Sequence, residues 1–250
     1  MKSKNNPKGA SPNEFGPPVY HLIPYVLGVI VSFVWFLPYK PSIETMPVER
    51  VVLKCLPILY LAIYIMIMDR GRGESLKVFY ALMLSLIGDI FLAYHDVGFL
   101  YGIALFGIGH LIYIKTFGFR PMKLLLGGAL FAANFLILSF FALPYVKPAS
   151  FRVGITIYSL LLGTMSWRAL VRYFFMTTPC KERRICSALG AMLLFISDSA
   201  YVFLQIIELL PHIPAQIIIL STYYLSQVFF MLGSCESFWG LDRNYPNKSS

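Results

Sequence analysis

Asp89 and Asp198 are acids set in stretches that otherwise carry almost no charge. Asp89 falls inside the apolar run Phe79–Tyr94, and Asp198 inside Cys186–Ile207. An ionisable side chain is costly to keep in a bilayer, so one that is kept marks a functional site by default. The two share a local pattern: Leu84-Ser85-Leu86-Ile87-Gly88-Asp89 against Leu193-Leu194-Phe195-Ile196-Ser197-Asp198. The chemistry such groups offer is proton transfer. Two neighbouring carboxyls titrate as a unit, so one can donate a proton while the other stays an anion. Glycoside hydrolysis uses that division against an oxocarbenium-like transition state. Proton-coupled carriers and channels also use intramembrane acids, and a non-catalytic lipid-binding scaffold is a third class. The bland alternative is a pair of acids that only hydrogen-bond neighbouring helices.

The elements that position these acids are apolar helices. The chain has 250 residues, 58% hydrophobic and only 13% charged, with mean hydropathy +0.69. A soluble domain carries about 25% charged residues. The composition predicts an all-α polytopic membrane protein. The net charge of +9 is confined to joints between apolar runs and forms no basic stripe interleaved with aromatics. Nucleic acid is therefore excluded as a partner, and the membrane is implied. The four cysteines, Cys55, Cys180, Cys186 and Cys235, show no metal-ligand spacing. No GxSxG, HExxH or P-loop motif is present.

Eight spans are expected, at Tyr20–Leu37, Val51–Met68, Phe79–Tyr94, Phe99–Phe117, Leu124–Leu143, Val153–Leu170, Cys186–Ile207 and Ile217–Leu232. They make one domain over 19–238, with a disordered polar tail at 1–18 and a short C-terminal tail at 239–250. Basic residues alternate across the joints. Sixteen of the 21 Lys and Arg fall in or beside the N-terminal tail, the even joints and the C-terminus. Lys40, Arg50, Lys54, Lys147 and Arg152 fall in or beside the odd joints. The bias predicts both termini in the cytoplasm. It also places Asp89 roughly 7–8 Å and Asp198 roughly 14 Å from the outer ends of their spans, at about 1.5 Å per residue. The matched patterns on spans three and seven suggest a parallel four-plus-four repeat.

Other polar residues reach similar depth. His110 lies past the middle of span four, Tyr158 in the outer half of span six, and Gln227 mid-span in span eight with Tyr223 one turn outward. Asp198, Tyr201 and Gln205 sit at i, i+3 and i+7, one helical stripe. Together these residues outline a polar cavity. His110 fits a core histidine as well as a site residue. Gln227 and Tyr158 fit interhelical bridges equally, and Lys54 reads first as a snorkelling residue. Gly102, Gly107 and Gly109 read as close-packing positions.

The chain resembles the transmembrane protein 86 / YhhN family, animal branch. The segments that carry the likeness are Lys54-Cys55-Leu56-Pro57, Gly88-Asp89 with Phe91-Leu92, and His110 with Tyr113 and Phe117-Gly118. They continue with Tyr158, Gly163-Thr164-Met165-Ser166-Trp167-Arg168-Ala169, Gly190-Ala191 with Ser197-Asp198, and Ser221-Thr222-Tyr223-Tyr224 with Gln227. The resemblance implies an eight-span lysoplasmalogenase in an intracellular membrane, the endoplasmic reticulum. It implies a lysophospholipid substrate taken from the bilayer, and no metal or organic cofactor. Opening a vinyl ether requires protonation of carbon, which matches what two carboxyls can do. Asp89 and Asp198 are then the expected catalytic pair. His110, Tyr158, Tyr223 and Gln227 are expected to orient substrate or water, and Lys54 to meet the phosphate.

Overall fold

The computed structural model describes residues 19–37, 47–93, 97–206 and 208–239. The expected N-terminal tail, the C-terminal tail beyond Trp239, Lys40 and His95 lie outside them. Among the described residues there are eight α-helices and no strand: α1 (Ile23–Phe36), α2 (Val48–Asp69), α3 (Gly73–Leu92), α4 (Val97–Phe117), α5 (Leu124–Ile137), α6 (Ala149–Phe175), α7 (Lys181–Ala200) and α8 (His212–Ser234). π-helical turns extend α5 through Leu138–Ala142 and α7 through Tyr201–Ile206. With those extensions, α2 to α8 are long and apolar enough to cross a membrane. The first apolar helix, Val19–Trp35, is shorter.

Helix starts follow proline, which needs no hydrogen-bonded N–H. Pro47, Pro148 and Pro211 immediately precede α2, α6 and α8. The α2–α3 turn is tight because Arg70, Gly71 and Gly73 all take positive φ. Several helices run further than their apolar segments. Glu74 and Lys77 belong to α3, Arg172 to α6 and Arg183 to α7, although hydropathy places all four in joints. An apolar run marks what lipid must cover; the helix itself continues until the backbone turns.

In lipid, helices are held by close packing and polar contacts. The α3–α4 contact is closest at Gly88 and Gly102. A Cβ on Gly88 would stand 2.8 Å from the Phe106 ring, and one on Gly102 3.1 Å from the Gly88 carbonyl oxygen. α7 and α8 meet the same way, with Gly190 against Phe230 and Gly233 against Ser187. The main core runs along α2, α3, α4, α6, α7 and α8, through Ile58, Leu61, Leu82, Tyr113, Met165, Leu194, Leu220 and Phe230. A smaller cluster of Leu138, Ala142, Val146 and Ile155 lies beneath the π turn of α5. α5 itself packs chiefly on α6 and leaves most of its surface uncovered.

The end of the bundle near Glu74 is clamped by charge. Glu74 accepts two bonds from Arg172, at 2.8 and 2.7 Å, and one from Arg183 at 2.9 Å. Arg183 also donates to the Gly233 and Ser234 carbonyls and pairs with Glu236. Asp69 accepts from the Ser75 hydroxyl and from the backbone N–H groups of Glu236 and Ser237. Beside it, burial pushes the Cys235 thiol up to about 12. Arg168 donates to the Gly118 and Pro121 carbonyls, holding the α4–α5 joint. Arg172 and Arg183 are 1% and 3% exposed. These basic residues are clamps inside the bundle, beyond what topology alone asks of them. Removing one partner of a buried ion pair costs about 3–5 kcal/mol, and Glu74 is partly exposed. Glu74→Ala is expected to destabilise by roughly 3 kcal/mol in denaturant titration of the detergent-solubilised protein. A loss below about 1 kcal/mol, the ordinary figure for a surface pair, would contradict the clamp.

Candidate active site

Asp89 stands at the Gly88–Gly102 contact, one residue from the closest approach of α3 to α4. It is 3% exposed. Lys54 Nζ lies 2.6 Å from its Oδ1, and the Tyr223 hydroxyl donates to its Oδ2 at 2.7 Å. Lys54 therefore turns inward, correcting the snorkelling reading: the nearby acid satisfies the ammonium better than a distant interface. Its position is fixed from two sides. Pro57 lies inside α2 three residues after Lys54 and removes one backbone donor there, and the Tyr224 hydroxyl donates to the Lys54 carbonyl at 3.0 Å. Tyr224 is in turn held by Ser32 and Tyr25 of α1.

Asp198 stands near the end of α7, immediately before its π turn. The Tyr158 hydroxyl donates to Oδ2 at 2.5 Å. His110 Nε2 bonds that hydroxyl at 2.8 Å and lies 3.8 Å from Oδ2. Among the described residues no lysine or arginine comes within ion-pair distance of Asp198. The two acids thus differ in kind: Asp89 is paired with an ammonium, whereas Asp198 is bound by a phenol backed by an imidazole.

Both carboxyls line one cavity. Lys54, Tyr158, Ser197, Tyr201, Gln216 and Tyr223 contribute the rest of its polar wall. Phe99, Ile103, Ile155 and Val202 form an apolar side continuous with the small cluster beneath α5. A polar floor with an apolar wall suits an amphiphile.

The expected residues divide into two groups. Asp89, Asp198, Lys54, Tyr158 and Tyr223 come together around the cavity. His110 reaches it only through Tyr158. Gln227 is wholly buried and does not line the cavity. The stripe expected from Asp198 through Tyr201 to Gln205 is altered by the π turn, which changes the residue angle. Tyr201 still faces the cavity, and the Gln205 side chain lies outside the described residues. Sequence reasoning missed Gln216, which hydropathy places in a joint beside Pro214. Stepping back two turns from Tyr223 along the same face of α8 would have found it.

Residues 49–234 match the YhhN family. The chain belongs to the YhhN family. Its relatives include lysoplasmalogenase TMEM86B of Sus scrofa, 32% identical over 210 residues, covering 82% of this chain and 83% of that protein. Lysoplasmalogenase TMEM86A of Homo sapiens is 29% identical over 224 residues, 86% of this chain and 89% of that one. TMEM86A of Bos taurus is 28% identical over 225 residues, with the same coverage. No solved structure matches the chain.

The Lys54–Asp89 contact predicts strong coupling. Lys54→Met leaves a buried carboxylate unpaired and should cost roughly 3–5 kcal/mol of stability, whereas Lys54→Met combined with Asp89→Leu should cost much less. Unfolding of both variants and both single mutants in detergent measures this. Additive losses would mean that the two side chains do not interact.

Proposed function

We propose that this chain is a lysoplasmalogenase. It hydrolyses the vinyl ether bond of a lysoplasmalogen to a fatty aldehyde and glycerophosphoethanolamine or glycerophosphocholine. The named activity of its relatives supports the reaction. The observation that carries the mechanism is the unlike partnering of two carboxyls in one cavity.

Asp198, which among the described residues has no lysine or arginine within ion-pair distance, is the proton donor. Its proton goes to the alkene carbon remote from the ether oxygen, which leaves an oxocarbenium ion at the carbon bonded to oxygen. Asp89, held as an anion by Lys54 and Tyr223, offsets that positive charge across a water-poor space, where electrostatic stabilisation is strong. Water adds to the cation and returns a proton to Asp198. The hemiacetal hydroxyl proton then passes to the departing ether oxygen as the carbon–oxygen bond breaks. One water is consumed and each carboxyl ends as it began. Tyr158 and His110 hold Asp198 in place. Lys54 also lies on the cavity wall, where the substrate phosphate can reach it. The alkenyl chain lies along Phe99, Ile103, Ile155 and Val202, and enters from lipid beside α5. The endoplasmic reticulum, with both termini cytoplasmic, is the proposed setting.

Asp89→Asn and Asp198→Asn should each lower aldehyde release by at least about 100-fold, with the variants still folded in detergent. Full activity in either refutes the pair. Purified protein with no vesicles present separates hydrolysis from transport, and a saturated-ether lysolipid should bind but remain uncut. In heavy water with immediate trapping, one deuterium should appear on the aldehyde carbon next to the carbonyl. Unlabelled product rejects carbon protonation.

A further inference from the structure

A second group of buried polar side chains, outside the lining of the cavity, lies on α4 and α8. The Phe106 and Tyr223 rings meet at 6.2 Å, and the Tyr113 and Phe230 rings stack at 4.0 Å. Each step is seven residues on both helices, so the helices run parallel and in fixed register. Phe106, His110 and Tyr113 form an i, i+4, i+7 stripe on α4. Tyr223, Gln227 and Phe230 form the same stripe on α8. The ring contacts at both ends turn these stripes toward each other. His110 and Gln227 are therefore the middle pair, at one level.

The two facing stripes carry several unpaired polar atoms. His110 Nδ1, the Tyr113 hydroxyl and both amide atoms of Gln227 are buried without a hydrogen-bond partner among the described residues. The side chains are 1%, 1% and 0% exposed. Leaving a buried donor or acceptor unsatisfied is costly, and four together would be exceptional in a packed bundle. The ring contacts of Phe106 with Tyr223 and of Tyr113 with Phe230 bracket the His110–Gln227 level. A small polar molecule with two or more hydrogen bonds is what such a place takes, as internal waters do with about three partners each.

We propose that His110, Gln227 and Tyr113 bind an internal water, outside the substrate cavity. Because the Tyr158 hydroxyl donates to Asp198, His110 donates to it through Nε2–H, and the neutral ring accepts from this water at Nδ1. The water thus joins a chain leading through Tyr158 to Asp198. Resting on the reaction proposed above, the water fixes the His110 ring and, through Tyr158, the Asp198 carboxyl that protonates carbon. Gln227 is a positioning residue in this scheme, since it touches no substrate.

The site itself is tested apart from the reaction. A structure of the full chain in nanodiscs, at a resolution that shows waters, should place one within hydrogen-bond distance of His110 Nδ1 and the Gln227 amide. A direct bond between those side chains overturns the proposal. Gln227→Met keeps the shape and removes the polar atoms. With a bound water it should lower Tm by about 2–4 °C; an unchanged or higher Tm means the amide was unsatisfied and the proposal falls. If that variant does not fold, Tyr113→Phe is read by the same criterion. For the positioning role, kcat of Gln227→Met should fall about tenfold with KM unchanged, and an unchanged kcat removes that role. Aldehyde release surviving Asp198→Asn would sink the reaction instead, while density and melting would still decide the water.

Discussion

A carboxyl inside a membrane bundle must be given its partners by neighbouring helices, because lipid supplies none. Asp89 meets that demand with an ammonium from α2 and a phenol from α8. Asp198 meets it with a phenol from α6, itself bonded to an imidazole from α4. Satisfying two acids thus commits side chains from four other spans to one place. The rest of the cavity end follows: Pro57 in α2, the Tyr224 bond to the Lys54 carbonyl, and the glycine contact that brings α3 against α4.

The two ends of the bundle solve the same electrostatic problem differently. Near Glu74, one Arg172 nitrogen bonds both carboxylate oxygens and Arg183 adds a third bond, carbonyls accept from other arginine donors, and the chain after α8 is tied back by Asp69. That end is built for rigidity. Near Asp89 and Asp198, the polar groups surround a space, with an apolar wall on one side. An enzyme acting on a lipid needs both. A fixed base keeps the helices in register, and an open half lets a chain slide between them. The loosely covered α5 belongs to the open half.

Much of this was legible in the sequence for a simple reason: acids in apolar runs are rare and costly, so Asp89 and Asp198 stood out from composition alone. The helices were legible because hydropathy measures what lipid covers. Their ends were less so, since Glu74, Arg172 and Arg183 continue helices that hydropathy cuts short. The partnerships were the hidden part. Lys54 near a span end looks like any interfacial lysine until a neighbouring helix places Asp89 beside it. Gln227 looked equivalent to Tyr223 because both lie on one face of α8. Only the aromatic contacts of α4 with α8 separate the level that faces the cavity from the level behind it.

The order of these residues along the chain bears on how the protein is made. Lys54 is synthesised before Asp89, and the two lie on the consecutive helices α2 and α3. Tyr158 precedes Asp198, again on the consecutive helices α6 and α7. Each acid therefore leaves the translocation machinery as the second arm of a hairpin whose first arm already carries its partner. Neither has to wait in the bilayer as a bare charge for a helix not yet translated. The last helix, bringing Tyr223, adds only a second bond to an aspartate that is already accommodated.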